Sequence, residues 1–411
     1  MLRHRDRGGA AELGLLRVSA FVTPVPPMGG TGPDRLRMRR TVERLAAGDL
    51  TGRRVGTPGG RAAAGWLAAL LSDAGAEVRL DPFAVTGAVR EVHATPIARF
   101  GGSGLVFRRD FCEHLASAGL PEPVSAPVSG AAMAGAWWAS ASWGPDVAAA
   151  AVSAGAVGLL VPRGTDTAGW MPKMIAGPAV VGIPVLAVRT DLHARMRAEG
   201  GEFTASVPVR TVDVAATNVI AEFRPPGAIS VLLTAHFDGV GDDPDRRFPA
   251  ACDNASGVAA VIEAARILHA VLPPGIGLSV ALLDAEEAGA HGSAHHAPTV
   301  PPGTYVINLD GAARLGIAAV EAGGPAAPLL LALDRAARRS GVPLKAQPMP
   351  SDNRRYAAAG LASAGIGMGM PGYQTPAETP DRVEDATLTA AASLLIETVT
   401  ELALPPAGGE V

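Results

Sequence analysis

His236, Asp253, Glu287 and Asp310 each stand just after a short apolar run or in the turn that leads to the next helix. One imidazole with three carboxylates, gathered at one end of a sheet, is a ligand set for a pair of divalent cations. His236 closes the run 231–235, and Asp238, two residues on, lies on the same side of an extended chain. A carboxylate so placed fixes the tautomer of a ligating imidazole. Asp253 precedes a strongly apolar helical stretch that Asn254 or Ser256 can cap. Glu286 and Glu287 follow the run 279–283 directly. Adjacent carboxylates repel unless a cation or water offsets the charge, and such a pair can divide the work. One binds metal while the other takes the proton from attacking water. Asp310 closes the run 304–308. Singly, each motif has a bland reading: a surface histidine, an ordinary helix start, an exposed acidic loop. Their order at four successive strand ends points to metal-dependent chemistry.

The elements that must position these residues are legible around them. From Asn218 the chain alternates buried strands (219–223, 230–235, 278–283, 304–308) with helices (257–272 and about 292–297). Strands this apolar, separated by helices, predict an α/β fold: a mostly parallel mixed sheet with helices on both faces. Ligands in such sheets gather outside the carboxyl ends of the strands. Upstream, Val42, Leu45 and Ala46 have helical spacing, and 50–60 is a turn-rich loop. A second helix presents Ala63, Trp66, Leu67, Leu70, Leu71 and Ala74, with Gly75 at its C′ position and a strand starting near Val78. Residues 95–212 behave differently. Short apolar runs at 131–135, 156–161 and 183–188, helix candidates at 147–154 and 191–199, and four of the five tryptophans predict a β-rich insert with its own core. The expected division is a tail over 1–34, a main domain over 35–94 and 213–405, and the insert over 95–212.

Composition bounds the rest. The chain has 411 residues, 48% of them apolar and 18% charged, with a formal net charge of −4. A large core is expected, and no basic stripe invites nucleic acid. No apolar stretch reaches the roughly 18 to 20 residues needed to span a membrane. Cys112 and Cys252 lie far apart without metal-type spacing, so two free thiols are expected. The basic start (Arg3, His4, Arg5, Arg7) leads into an apolar patch that Arg17 interrupts, with no convincing cleavage site. A cytoplasmic location is the expectation from this stretch. Oligomeric state cannot be read from the sequence.

Taken together, Ala235-His236-Phe237-Asp238, Ala251-Cys252-Asp253-Asn254-Ala255-Ser256-Gly257, Glu286-Glu287-Ala288-Gly289 with Gly292-Ser293, and Asn308-Leu309-Asp310 resemble the zinc-dependent aminopeptidases of the bacterial leucyl-aminopeptidase type, relatives of the glutaminyl cyclases. The loop 50–60 also resembles that family, and the insert looks, more weakly, like a protease-associated domain. The resemblance implies Asp253 bridging two zinc ions, His236 and Asp310 completing one site, Glu287 serving the other, Glu286 as general base and Asp238 supporting His236. Tyr373 would stabilise the oxyanion. The family finishes the second site with His in a Tyr-His-Thr-Pro segment; here the text is Tyr373-Gln374-Thr375-Pro376. A neutral amide oxygen is a poorer zinc ligand than imidazole, so the second ion is expected to be weak, a harder Mn or Mg, or absent. The segment Ser351-Asp352-Asn353 departs too, where the family commonly has Asp-His. The implied function is hydrolysis of an amide bond, most simply at the N-terminus of a peptide. The alternatives are an amidase or acyl transferase acting on a small amide metabolite, and a non-catalytic binding protein on the same scaffold.

Overall fold

The structure, a computed structural model, describes residues 32–404. The expected tail lies outside the described residues as far as residue 31. Asp34 caps the first helix, its carboxylate accepting from Leu36 N and Arg37 N at 2.9 and 3.1 Å. Two helices, α1 (Arg35–Leu45) and α2 (Pro58–Asp73), open the described chain. The loop between them carries Thr57, which caps α2 through Gly60 N, and Gly75 beyond it takes the left-handed φ of 100° that ends a helix.

A long strand, β1 (Glu77–Val92), then runs out of the main domain. The excursion comprises β2 (Ala98–Phe100), β3 (Ser103–Gly104), β4 (Phe111–Glu113), β5 (Leu120–Ser129), β6 (Trp137–Ala139), α3 (Pro145–Ser153), β7 (Gly158–Arg163), β8 (Val185–Arg189), α4 (Thr190–Glu199) and β9 (Glu202–Val207). These strands form one sheet in the order β3-β2-β9-β5-β6-β7-β8-β4, around a core that includes Trp137, Phe111 and Phe203. The chain returns along β10 (Val209–Arg224), antiparallel to β1 from Glu77↔Glu222 to Val92↔Val209 with a bulge between Val85 and Val89. The apolar run 131–135 is a turn, and the strand begins at Trp137; Met133 is half exposed and Gly135 takes φ 70°, so its apolar letters mark no buried ladder.

The main domain continues with β11 (Ile229–His236), α5 (Ser256–Val271), β12 (Ile276–Leu283), α6 (His291–His296), β13 (Tyr305–Leu309), β14 (Ala318–Gly323), α7 (Ala327–Ser340), β15 (Leu344–Ala346), α8 (Asn353–Ala358), β16 (Ala362–Gly367) and α9 (Asp385–Ala403). Its sheet runs β1-β10-β12-β11-β13-β16-β14-β15, with β12, β11, β13 and β16 mutually parallel. Alternation along β11 sends Val231, Leu233 and Ala235 to one core and Leu232 to the other. The larger core packs under α1, α2, α5, α7 and α9; the smaller takes Ala297 beyond α6 and Tyr356 of α8. Among the described residues α9 alone is long and apolar enough to cross a membrane, and its Leu388, Leu394, Leu395 and Val399 are buried in the larger core. Both cysteines are free and buried. Four parallel strands therefore deliver their carboxyl ends to one rim, and His236 ends the second of them.

Candidate metal centre

Each residue of the rim is placed by local backbone. His236 is the last residue of β11, opposite Leu283, the last of β12. Asp238 follows in the turn and accepts the main-chain N–H groups of Glu286 and Glu287 at 3.0 and 3.2 Å. Its carboxylate also lies 3.5 Å from His236 Nδ1, whose other neighbour is the Asp238 carbonyl at 3.3 Å. One buried acid thus orients the imidazole and folds the acidic turn after β12. Asn254, not Ser256, caps α5, accepting from Gly257 N at 3.0 Å and from Gly311 N at 2.9 Å. That second bond ties the Asp253 turn to the Asp310 turn.

His236 Nε2 lies 3.1 Å from Asp253 Oδ1 and 3.2 Å from Asp310 Oδ1. One ligand atom from each of the three lies within 4.8 Å of the others. Ligands at about 2.0–2.1 Å from a tetrahedral zinc are separated by roughly 1.63 bond lengths, about 3.3–3.4 Å. The His236 contacts are within a few tenths of an ångström of that edge, and the donor set of one imidazole and two carboxylates suits a divalent ion. The three residues fit the group their sequence motifs imply.

Glu287 and Gln374 stand beside this triad, outside it. Gln374 Nε2 donates to Glu287 Oε2 at 2.6 Å, while Glu287 Oε1 and Gln374 Oε1 are buried without a partner. Gln374 is buried at a φ of 52°. Its N–H donates to Glu378 Oε2 at 2.8 Å, and its carbonyl accepts from Lys173 N at 2.8 Å. The fifth position is therefore held from both sides, and its amide faces Glu287 with a donor. His291 lies outside the cluster.

The electrostatics follow from burial and crowding. Burial alone would depress His236, but Asp310 and hydrogen bonds to Asp238, Asp253 and Asp310 hold it well above its ordinary value. Asp310 is drawn down by His236 against its burial, whereas burial pushes Asp253 up. Burial raises Glu286 well above the carboxylate range, opposed by His236 and reinforced by Asp310, Asp352 and Asp253. Glu287 rises likewise, with Asp253 and Glu286 adding to its burial. Tyr373 is half exposed at 46% yet is held up by partial burial and then by Asp253, Glu287, Asp310 and Glu286, so its phenol stays protonated among these acids.

Four neighbours were missed by sequence reasoning. Glu378 is buried and accepts the main-chain N–H of Asp253 as well as that of Gln374. Asp352, noticed in the sequence only as a departure, is fully buried; burial pushes it up to about 7, and neither oxygen has a hydrogen-bond partner. Burial pushes Asp284 up to about 8, with Asp238 adding to it. Arg53 is fully buried and donates to the carbonyls of Phe237, Leu45, Pro249 and Ala250. Glu378 follows a Thr-Pro turn and Arg53 follows Gly52, which were the only cues available.

Residues 218–399 match the family described as Peptidase family M28. The match covers under half of the chain. Among solved structures, the fold resembles the zinc aminopeptidase BSAP from Bacillus subtilis, at TM-score 0.68 and 20% identity over 89% of this chain and 94% of that one. It resembles the aminopeptidase from Aneurinibacillus sp. strain AM-1 at TM-score 0.67 and 22% identity, covering 89% and 93%. The glutaminyl cyclase of Fimbriiglobus ruber is more distant, at TM-score 0.52 and 16% identity, covering 92% and 99%. At these identities the likeness is one of fold, and it extends over most of the chain outside the M28 segment. A curated relative, the Mycobacterium tuberculosis protein named "Probable lipoprotein aminopeptidase LpqL", is 32% identical over 170 residues. That alignment spans 41% of this chain and 31% of the relative, so the chain matches about a third of that protein's length.

Proposed function

We propose that the chain is a metal-dependent hydrolase that removes residues from the N-termini of peptides, with zinc as its ion. The observation that carries the reading is the His236–Asp253–Asp310 triad, whose two contacts through His236 lie within a few tenths of an ångström of the edge of a zinc tetrahedron, beside two half-buried glutamates whose carboxyls burial raises. Bound there, zinc supplies a Lewis acid and makes water a nucleophile near neutral pH. Glu286, its carboxyl raised by burial well above the usual carboxylate range, takes the proton of the attacking water and returns it to the leaving amine. The Tyr373 phenol, kept protonated, donates to the developing oxyanion. Asp238 holds the imidazole in the tautomer that leaves Nε2 free.

The amide of Gln374 on Glu287 favours one tightly bound ion, with a second bound weakly or as Mn or Mg. The same contact is what favours the rival readings: a small-amide amidase or acyl transferase, and a silent binding scaffold. As part of this proposal, residues 95–212 act as a protease-associated-like module, and the protein is secreted or surface-located, against the cytoplasmic expectation; the name of its mycobacterial relative calls that protein a lipoprotein. Elemental analysis of purified protein with and without added Zn and Mn, paired with turnover of aminoacyl chromogenic amides, tests the reading. At least one ion per chain with turnover is expected. An ion without turnover of any aminoacyl amide turns the reading to the scaffold; no ion at all overturns it.

A further inference from the structure

Residues 164–184, between β7 and β8, carry the second domain to the metal centre. Among the described residues Lys173 makes every hydrogen bond from this stretch to the chain beyond β10. The side chain is buried, and its Nζ donates to the carbonyls of Gly241 and Asp242 at 2.8 and 3.0 Å and pairs with Asp243 at 2.9 Å. Its main-chain N–H donates to the Gln374 carbonyl at 2.8 Å. Two residues on, Ile175 shares a small core with Phe248, Ala285 and Ala288, the last two flanking Glu286 and Glu287. One residue of the second domain thus bonds both the loop that joins His236 to Asp253 and the turn that carries Tyr373 and Gln374.

The two partners differ in how firmly they are held. The loop that receives Nζ is a fixed base: Gly241 N donates to Gly52 O at 3.2 Å, Asp242 N to Thr51 O at 3.1 Å, and Phe248 N to the Asp242 carboxylate at 2.8 Å. Gln374 has less. Among the described residues its main-chain groups meet only Glu378, at 2.8 Å, and Lys173. It also stands at φ 52°, a left-handed conformation that a residue with a side chain keeps only where its surroundings impose it. Lysine suits the task because anchor and donor belong to one residue. Fixing Nζ on the base places the N–H that Gln374 needs.

We propose that Lys173 is a positioning residue of the hydrolytic site, supplied by the second domain. Its side chain fixes the stretch 164–184 on the loop after β11, and its N–H then holds the turn that aims the Tyr373 phenol and the Gln374 amide. This rests on the hydrolase reading given above. Lys173 acts through residues 373 and 374, so the second domain completes the site.

Hydrogen exchange of the full chain, read by mass spectrometry, and turnover of an aminoacyl chromogenic amide test this in parent and Lys173→Met proteins. Methionine keeps the length and the main-chain N–H, and Asp243 keeps its bonds from Arg108 at 2.8 and 3.1 Å, so no buried acid is left unpaired. Amides of 372–379 are expected to exchange at least about threefold faster, with those of β11 and β13 unchanged. The kcat is expected to fall at least about tenfold, with KM within about threefold and the zinc count unchanged. In a Tyr373→Phe background the same change is expected to lower kcat by less than about threefold, because the group it positions is gone. Lys173→Gln, a shorter uncharged donor, is expected to loosen the same segment to a lesser degree, and it carries the test where Lys173→Met does not fold. Parent exchange over 372–379 in the folded variant, a rise spread evenly over the chain, unchanged kcat, or an equal loss of kcat in the Tyr373→Phe background overturns the proposal. Exchange needs neither ion nor turnover. A parent without turnover therefore fails the hydrolase reading, and the exchange result still decides whether Lys173 holds the turn.

Discussion

Replacing Gln374 by His is expected to convert a weak second ion into a tight one. The backbone is ready for the change. Gln374 sits at φ 52°, a region where His is more at ease than most residues, and its N–H and carbonyl are fixed by Glu378 and Lys173. What opposes the second ion is the 2.6 Å hydrogen bond from Gln374 Nε2 to Glu287 Oε2. A hydrogen bond to a carboxyl that burial holds toward its neutral form is worth about 0.5–1.5 kcal/mol, and it must break before Glu287 can turn to a cation. At about 1.4 kcal/mol per factor of ten, its removal alone tightens the second ion roughly 2- to 12-fold. Exchanging an amide oxygen for an imidazole nitrogen adds to this for zinc. Ion counts after equilibrium dialysis against buffered zinc, in parent and Gln374→His proteins, give the second constant directly. Equal stoichiometry and second-ion constants agreeing within about threefold would refute the reasoning about this position.

Three further outcomes test other parts of the structure. Glu286→Gln is expected to lower kcat by about 10²- to 10⁴-fold while ion content and melting temperature stay at the parent values; unchanged turnover removes the base. Glu263 binds Arg37 and Arg266 and accepts from Asp34 N, and its carboxyl is held down at about 2, burial being outweighed by the hydrogen bonds from Arg37 and Arg266. A depressed carboxyl contributes stability that is present above its unfolded value and lost as pH falls through the folded one. The window here is 4.5 down to about 2. The shift corresponds to at most about 3 kcal/mol, reduced to about 1–2 because Arg37 is half in solvent. The melting temperature of Glu263→Gln should therefore lie below the parent at pH 7 and meet it only as pH falls through about 2; an undiminished gap at that pH contradicts the assignment. Asp243 is paired with Arg108 at 2.8 Å and Lys173 at 2.9 Å, all three buried. Asp243→Ala strands Lys173 and leaves Arg108 with Glu113 alone, and it is expected to destabilise the chain by about 3–5 kcal/mol in denaturant titration; a loss below about 1 kcal/mol means the network is solvated.

The central strands were legible because both their faces are buried, so β11, β12 and β13 read as unbroken apolar runs. Strand β16, Ala-Ser-Ala-Gly-Ile-Gly, is equally buried but is built from small residues that carry little hydrophobic signal. Gly365 and Gly367 lie against Asn353 and Met349, so close packing rather than apolar volume defines that strand. Only five residues of β10 were visible as strand, because the rest of its 16 alternate with solvent along the ribbon with β1. At the rim, ligand types and order announced His236, Asp253 and Asp310, which the structure brings within hydrogen-bonding distance of one another through His236. Arg53, Lys173 and Asp243 could not be found the same way. Their partners are main-chain carbonyls or residues well over 50 positions away, and neither leaves a local pattern.

The way this chain handles buried acids elsewhere decides what the rim needs. Asp243 and Glu263 are matched by arginine or lysine in direct contact. Among the described residues, Asp238, Asp253, Glu286, Glu287, Asp310, Asp352 and Glu378 share only His236 and Arg53, and every hydrogen bond of Arg53 goes to a main-chain carbonyl. Its charge reaches Glu378, Asp238, Asp253 and Glu287 only through space. The balance must come from protons or bound cations, and the two compete. Burial raises Asp253, Glu286, Glu287 and Glu378, so each holds a proton more readily than a free carboxyl when no cation is bound. Zinc binding at pH 7 is then expected to release at least about one proton per ion, and affinity is expected to rise with pH. Calorimetry in buffers of different ionisation enthalpy measures that release. Heats independent of the buffer would mean the carboxylates are already charged and balanced by some other group, and the electrostatic case for a metal centre would fail with them.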